Sequence, residues 1–165
     1  MSQTPQTPPQ PADGSAATAP APDPRMTTRD MICFALYSAS HAMTRFYRPL
    51  LDEMGLTYPQ FLVLVELWAE DGQSLSRLGE ALALESNTLT PLIRRMGEAG
   101  LVTKRRDDLD ERMVRIHLTD RGRALQGEAD RITACVFEAT GLDLAELVDL
   151  REKVTRLRDR LRDLD

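Results

Sequence analysis

The hydrophobic pattern of this chain changes its period just after Gly100, and this change restricts the fold more than any other feature. Before it, residues 74–82 and 86–100 form two short segments with apolar side chains at helical spacing, joined by a small turn. After it, residues 101–105 and 113–118 alternate apolar and polar side chains, as the two strands of a β-hairpin do. The sequence therefore predicts a mainly α-helical fold with a small β-wing, a winged helix-turn-helix.

Longer helical patterns flank this motif. Residues 28–54 repeat apolar side chains at steps near 3.6, and Pro49 is expected to end that helix early or to kink it. Thr57 is expected to cap the next helix. The predicted buried face of that helix is Phe61, Leu64, Val65 and Trp68. From Thr119, one long helix is predicted as far as Gly141.

The last predicted helix carries a seam typical of a coiled coil. Its apolar residues alternate steps of three and four: Leu147, Leu150, Val154, Leu157, Leu161 and Leu164. Such a seam favours packing on a second subunit, and packing on the chain's own core is the alternative. We therefore predict a homodimer in which residues 28–54 and 120–165 form the dimerisation helices and residues 56–119 form the winged helix-turn-helix.

Composition limits the class of protein. Residues 1–25 hold seven of the ten prolines and are predicted to be a disordered tail before one domain over residues 26–165. The net charge of −5 argues against indiscriminate coating of nucleic acid but allows sequence-specific binding by a basic face. With no apolar run near the roughly 20 residues of a membrane span and no signal peptide, we expect a cytoplasmic protein. Two cysteines and two histidines lack zinc spacing, so no metal or cofactor is expected.

The segment from residue 86 to residue 106 combines short polar and basic side chains that suit DNA. Short polar residues at the start of a recognition helix reach base edges, and arginines further along contact the groove or phosphates. The predicted contacts on this helix are Ser86, Asn87, Thr88, Thr90, Arg94 and Arg95. In the wing, the basic cluster is Lys104, Arg105 and Arg106, and the acids expected to dilute its field are Asp107, Asp108 and Glu111. For any single arginine, a solvated surface charge is the alternative.

Cys33 is a candidate reactive thiol. Thr27 and Asp30 have capping-box spacing, so a helix is expected to start at Thr27 or Thr28 and to hold Cys33 in its first two turns. Unpaired backbone N–H groups and the positive end of the helix dipole favour a thiolate there, and Arg29, four residues earlier, would act in the same direction. The alternative is that Cys33 is a small core residue.

Several motifs resemble the MarR family of winged helix-turn-helix repressors. They are Tyr58-Pro59-Gln60-Phe61, the stretch from Ser86 to Met96, Gly100-Leu101-Val102, and Asp110-Glu111-Arg112 before Leu118-Thr119. The stretch around Cys33, with Tyr47-Arg48-Pro49-Leu50-Leu51 and Leu56-Thr57-Tyr58-Pro59-Gln60, is similar to the organic hydroperoxide resistance regulators (OhrR). The similarity covers roughly residues 30–125. It implies a repressor and not an enzyme.

The resemblance also implies roles for individual residues. Arg112 would enter the minor groove, oriented by Asp110, and Asn87 departs from the glycine common in OhrR relatives, which implies a different base preference. Tyr47 is about 21 Å along the helix from Cys33 and therefore cannot reach the thiol of its own helix.

In the family, the tyrosines at the positions of Tyr47 and Tyr58 reach the cysteine across the dimer. Tyr37, one turn from Cys33, would line its pocket. For each tyrosine the alternative is a half-buried core residue, which we favour most for Tyr37.

Cys135 determines the subtype within this resemblance. In two-cysteine relatives, a C-terminal cysteine of the other subunit traps the oxidised sensor as a disulfide. The resemblance therefore implies a repressor that releases a pseudo-palindromic operator when organic hydroperoxide oxidises Cys33 and a disulfide with Cys135 forms. The alternatives are that Cys135 is only buried and an external thiol resolves Cys33, or that a small aromatic ligand is the signal. A thiol peroxidase is a further class, but the sequence lacks a nucleophile loop rich in threonine and proline.

Overall fold

The computed structural model describes residues 26–107 and 113–164 of the 165-residue chain. The described residues divide into two compact units, with the boundary between Ser38 and Ala39. The predictions made for the tail over residues 1–25 and for Asp110 and Arg112 lie outside the described residues. Within the described part, no helix is both long and apolar enough to cross a membrane.

Seven α-helices and three strands are present in the described residues, preceded by a short 3-10 helix at Thr28–Asp30. They are, in order, α1 (Ile32–Glu53), α2 (Tyr58–Ala69), β1 (Gln73–Ser74), α3 (Leu75–Leu82), α4 (Ser86–Glu98), β2 (Val102–Arg106), β3 (Val114–Leu118), α5 (Asp120–Ala124), α6 (Gln126–Thr140) and α7 (Leu144–Arg162). The predicted mainly helical fold with a small β-wing is confirmed.

The three strands form one antiparallel sheet in the order β1-β3-β2. The predicted hairpin is confirmed, with Val102 paired to Leu118 at its base. Strand β1 was not predicted from the sequence, because its two polar residues carry no alternating pattern. Gln73 is held there because its buried side-chain amide donates to the carbonyls of Glu66 and Glu70, at 2.8 and 3.0 Å, and so satisfies the end of α2.

Two predictions about the first helices need correction. Pro49 does not end α1 early: the helix continues to Glu53, because proline removes a single backbone hydrogen bond and the chain is exposed there. Val65 is not buried. On α2 the buried arc is centred on Leu64 and Leu67, because the helix contacts α3, α4 and β3 together, and Val65 falls outside that arc.

The core lies between α2, the helix-turn-helix and the sheet. Its fully buried side chains include Leu64, Leu67, Leu78, Ile93, Met96 and Ile116. Each such side chain contributes about 1.5–3 kcal/mol relative to exposure. Helix α6 adds Ile132 and Val136 to the same core.

The single long helix predicted from Thr119 is two helices. Helix α5 ends at Ala124, and α6 begins at Gln126 after Leu125, whose ψ of −11° departs from the helical value. The predicted end at Gly141 is confirmed, with φ of +66° in the left-handed region that glycine adopts readily.

The seam of α7 is not buried in the described chain. Helix α7 contributes no buried residue. Leu150, Val154, Leu161 and Leu164 are exposed, whereas Leu147 and Leu157 are half-buried. Packing of the seam on the chain's own core, the alternative considered above, is therefore wrong.

A carboxylate in the turn after α2 holds the wing and α5 together. Asp71 accepts hydrogen bonds from the backbone N–H of Leu118 and from Arg123, both at 2.8 Å. Burial alone would raise the pKa of Asp71, but these bonds and the arginine charge outweigh it, so the pKa is lowered.

Substitution of Asp71 with asparagine is expected to reduce the free energy of unfolding by about 1–2 kcal/mol at pH 7. A carboxylate with a depressed pKa contributes stability above its unfolded value of about 3.9, and this contribution is lost as the pH falls through the folded pKa. The difference between wild type and Asp71→Asn should therefore shrink below about pH 4. Urea unfolding at pH 7 and at pH 3.5 measures it, and a difference that is equal at both pH values would contradict the assignment.

Candidate DNA interface and thiol site

A tight turn orients the two helices of the helix-turn-helix. Ser74 caps α3 by accepting a hydrogen bond from the Arg77 N–H at 3.2 Å. Ala83 ends α3 in the left-handed region with φ of 53°. The N–H of Leu84 then donates to the carbonyl of Gly79 at 2.9 Å. This turn sends the chain directly into α4, whose first residue is the first of the predicted DNA contacts.

Helix α4 has the two faces of a recognition helix. Its apolar face is buried and consists of Leu89, Leu92, Ile93 and Met96. The predicted contacts are all exposed: Ser86, Asn87, Thr88, Thr90, Arg94 and Arg95. Asn87, Thr90 and Arg94 follow one another at helical spacing and so share one side. The structure therefore brings Asn87, Thr90 and Arg94 together on one side of α4, and the other predicted contacts are exposed elsewhere on the same helix.

Glu85, the residue directly before α4, was not among the predicted contacts. Its carboxylate accepts a hydrogen bond from the Asn87 side-chain amide at 3.1 Å, and the Asn87 carbonyl oxygen accepts one from the Thr88 hydroxyl at 3.1 Å. Carboxylates in a major groove accept from the amino group of cytosine. Its position in the sequence, immediately before the predicted recognition helix, could have identified Glu85 as a candidate contact. Asn87 is thus held between two neighbours.

The arginines of α4 differ in their surroundings. Arg94 is bound to Glu98 at 2.7 Å, with both side chains more than half exposed. Such an exposed pair is worth about 0–1 kcal/mol, so exchange of Glu98 for a phosphate has a small cost. Arg95 is exposed in the following position.

The wing places its basic cluster in solvent. Lys104, Arg105 and Arg106 are exposed along β2. Asp107 does not dilute their field as expected, because it is buried and bound to Arg115.

The N-terminal unit holds Cys33 at the start of a helix. Thr27 and Asp30 do form a capping box, but it caps the 3-10 helix, and α1 begins only at Ile32 after the extended residue Met31. Cys33 is therefore the second residue of α1, in a turn whose backbone N–H groups have no partner within the helix. Arg29 lies before this break, so the expectation that Arg29 and Cys33 share one face of the same helix is wrong.

Exposure separates the alternatives for Cys33 and Tyr37. Cys33 is exposed in the described chain, which contradicts a small core residue. Tyr37 is 61% exposed, so the alternative of a half-buried core residue is wrong for Tyr37 in the described chain.

Tyr47 and Tyr58 form a ring pair in the second unit. Their centroids are 4.9 Å apart, and Tyr47 also packs at 5.9 Å on Phe61. Burial raises the pKa of Tyr47, with a further contribution from Tyr58, and burial raises the pKa of Tyr58. Both hydroxyls thus stay protonated at neutral pH and can donate hydrogen bonds.

Cys135 is exposed on α6, although its neighbour Val136 is buried. The alternative that Cys135 is only a buried residue is therefore wrong for the described chain. It lines a small cleft of about 40 Å³ together with Leu50, Glu53 and Met54.

A larger cavity of about 560 Å³ lies between α1 and the start of α2. Its polar lining includes His41, Arg45, Arg48 and Asp52, and the ring of Tyr58 forms part of its wall. The volume is within the range of small-molecule sites. Arg48 lies 4.0 Å from Asp52, and the second guanidinium, of Arg45, leaves the lining with a net positive charge that favours an anion.

The fold, the exposed recognition helix and the basic strand define a winged helix-turn-helix protein. The profile described as "Transcriptional regulator SarA/Rot" matches residues 45–128. The HTH-type transcriptional regulator TtmR of Methylorubrum extorquens is 47% identical over 130 residues, which are 79% of this chain and 67% of TtmR. The organic hydroperoxide resistance transcriptional regulator of Bacillus subtilis is 41% identical over 125 residues, 74% of this chain and 85% of that protein. The chain therefore belongs to the SarA/Rot family of MarR-type winged-helix transcriptional regulators.

Solved structures of AbfR of Staphylococcus epidermidis are also similar. Reduced AbfR bound to DNA is 34% identical with a TM-score of 0.69, over 81% of this chain and 91% of AbfR. Overoxidized AbfR bound to DNA has a TM-score of 0.67 over 79% and 91% of the two chains. Disulfide-formed AbfR has a TM-score of 0.55 over 81% and 88%.

Proposed function

We propose that the chain is a homodimeric repressor that binds DNA when reduced and releases it when an organic hydroperoxide oxidises Cys33. The observation that carries the proposal is an exposed thiol in the first turn of α1, in a chain 41% identical to an organic hydroperoxide resistance regulator. Low steric protection and unpaired N–H groups are what a redox-sensing thiol requires.

DNA binding would use two copies of the α4 surface. In a twofold dimer, two recognition helices enter successive major grooves about 34 Å apart, on a pseudo-palindromic operator. The short polar residues from Ser86 to Thr90 would contact base edges, and the arginines of α4 and β2 would contact phosphates. On the resemblance, Arg112 would add a minor-groove contact oriented by Asp110.

Exposed apolar residues support the dimer. In the N-terminal unit, Met31, Ile32 and Phe34 are exposed beside Cys33. In the second unit, the seam of α7 is exposed or half-buried along its length. Side chains of this kind favour burial against a second subunit.

The redox step would proceed in two reactions. The Cys33 thiolate attacks the outer oxygen of the hydroperoxide, which gives the sulfenic acid and releases an alcohol after protonation. The Cys135 thiol of the partner then attacks the Cys33 sulfur, forming the disulfide and releasing water. Tyr47 and Tyr58 would donate hydrogen bonds to the thiolate across the dimer.

The disulfide, and not oxidation as such, would be the event that releases DNA. AbfR has been solved on DNA in both the reduced and the overoxidized form, whereas a disulfide-formed AbfR is a separate structure. A covalent link between helices of two subunits would shift the recognition helices, and a small shift suffices because many contacts must be met together.

Non-reducing electrophoresis of wild type, Cys33→Ser and Cys135→Ser, each treated with one equivalent of cumene hydroperoxide, tests the proposal. We expect a covalent dimer in wild type and in neither variant. A wild type that stays monomeric on the gel while its intact mass shows overoxidised Cys33 or a mixed disulfide would indicate a one-cysteine sensor. An unchanged intact mass would contradict redox sensing altogether.

The 560 Å³ cavity favours a second candidate, a repressor controlled by a small anionic aromatic ligand. Arg45 and Arg48 would bind the anion, and the Tyr58 ring would contact the aromatic group. Such a repressor would respond to its ligand equally well with Cys33 replaced by serine, which distinguishes it from the redox sensor.

A further inference from the structure

Asp107 is a buried carboxylate at the loop end of the β2–β3 hairpin, opposite the end where Val102 pairs with Leu118. It directly follows β2, and only 6% of it is exposed. The Nε of Arg115, on β3, donates a hydrogen bond to this carboxylate. The backbone N–H of Asp107 donates to the carbonyl of Met113 at 2.9 Å, which closes the hairpin at this level. This bond joins Asp107 directly to Met113, beside the ion pair of Asp107 with Arg115.

The same arginine connects the wing to the body of the second unit. Its Nη1 donates to the carbonyl of Gly72 at 3.0 Å, in the turn between α2 and β1. The N–H of Gly72 in turn donates to the carbonyl of Ile116 at 3.1 Å. Gly72 has φ of +77°, and a Cβ added there would lie only 2.8 Å from the His117 ring. Only glycine therefore allows this turn to lie so close to β3.

The pairing of the strands links this arrangement to DNA binding. Arg105 is directly opposite Arg115 in the register, and paired residues of antiparallel strands share one face of the sheet. Two like charges placed opposite each other repel. Because Asp107 and the Gly72 carbonyl bind the Arg115 guanidinium, its charge is compensated and Arg105 is left exposed.

We propose that the Asp107–Arg115 pair is a positioning element for DNA binding. It holds the loop end of the β2–β3 hairpin against the turn at Gly72 and lets Arg105 present its charge to the DNA backbone. The inference rests on the DNA-binding function proposed above. The expected effect on DNA affinity is opposite to that of a simple charge change. Removing a negative charge next to a DNA-binding surface should strengthen binding by electrostatics alone, whereas loss of the Asp107 carboxylate should weaken it.

The test uses the full-length reduced protein and a 30-bp duplex that the wild type enriches from a random pool. We expect Asp107→Asn to bind this duplex about tenfold more weakly and to lower the slope of log K against log salt by about one, as Arg105→Gln does. The double variant should bind about as weakly as Arg105→Gln alone, because the two act through one contact. A change in fold stability alone does not alter the salt slope of the folded protein.

Asp108→Asn is the matched control, since it removes the neighbouring carboxylate, and its affinity should be equal to or higher than that of wild type. Asp107→Asn binding as tightly as wild type or more tightly would overturn the inference. If Asp107→Asn does not fold, Arg115→Lys replaces it: the charge is kept but the two-pronged bridge is lost. Wild-type affinity in that variant would likewise overturn the inference. A wild type that enriches no duplex would instead contradict DNA binding itself.

Discussion

Replacement of Cys33 with serine is expected to leave DNA affinity unchanged and to abolish its loss on treatment with organic hydroperoxide. Serine changes one atom at an exposed position outside α4 and the wing, so no DNA contact is removed. A serine hydroxyl is not oxidised by hydroperoxide, so neither sulfenic acid nor disulfide can form. The wild type should lose affinity by about 1,000-fold or more, which is the range that separates specific from non-specific binding. Fluorescence anisotropy of a labelled duplex, before and after one equivalent of cumene hydroperoxide, measures both states.

Cys135→Ser is the companion variant for this measurement. It can form the sulfenic acid at Cys33 but not the disulfide, and on the proposed mechanism it should stay on DNA after oxidation. If Cys135→Ser releases DNA as wild type does while Cys33→Ser does not, the chain is a one-cysteine sensor. Release from Cys33→Ser itself would show that the signal does not act through this thiol.

Replacement of Gly122 with alanine is expected to reduce the free energy of unfolding by about 3 kcal/mol or more. A Cβ at this position would lie 2.3 Å from the carbonyl oxygen of Leu101. That oxygen cannot move freely, because it accepts hydrogen bonds from both the N–H and the hydroxyl of Thr119, each at 3.1 Å. The Gly122 carbonyl is in turn held by the indole N–H of Trp68 at 2.9 Å. Overpacking costs about 1–3 kcal/mol where side chains can adjust, and a backbone clash belongs at or above the upper end.

Gly127→Ala is the control for helix propensity. Gly127 lies near the start of α6, and a Cβ there would have no neighbour within 4 Å. Alanine should therefore be neutral or stabilising by up to about 1 kcal/mol. Urea unfolding midpoints compare the two variants. Equal midpoints for Gly122→Ala and Gly127→Ala would show that α5 does not pack against Leu101 as described.

Local features could be predicted from the amino-acid sequence, because each of them depends on residues only a few positions apart. The Thr57 cap is an example: its backbone N–H donates to the side chain of Gln60, three residues later, at 2.8 Å. The buried stripe of α4 and the hairpin of β2 and β3 likewise follow from hydrophobic periods of 3.6 and 2. The exposed polar side of α4 was therefore predictable residue by residue.

The sequence could not show which charged side chains stay exposed to solvent and which are paired within the fold. Asp107 was predicted to dilute the basic field of the wing, but its partner Arg115 lies on the opposite strand, eight positions away. Asp71 and Arg123 are 52 positions apart and meet only because α5 packs against the turn after α2. For the same reason, the sequence could not show whether Cys33 and Cys135 are buried or exposed, and the structure places both at the surface of the described chain. Burial and pairing depend on contacts between distant parts of the chain, and hydrophobic period and capping, being local, carry no information about them.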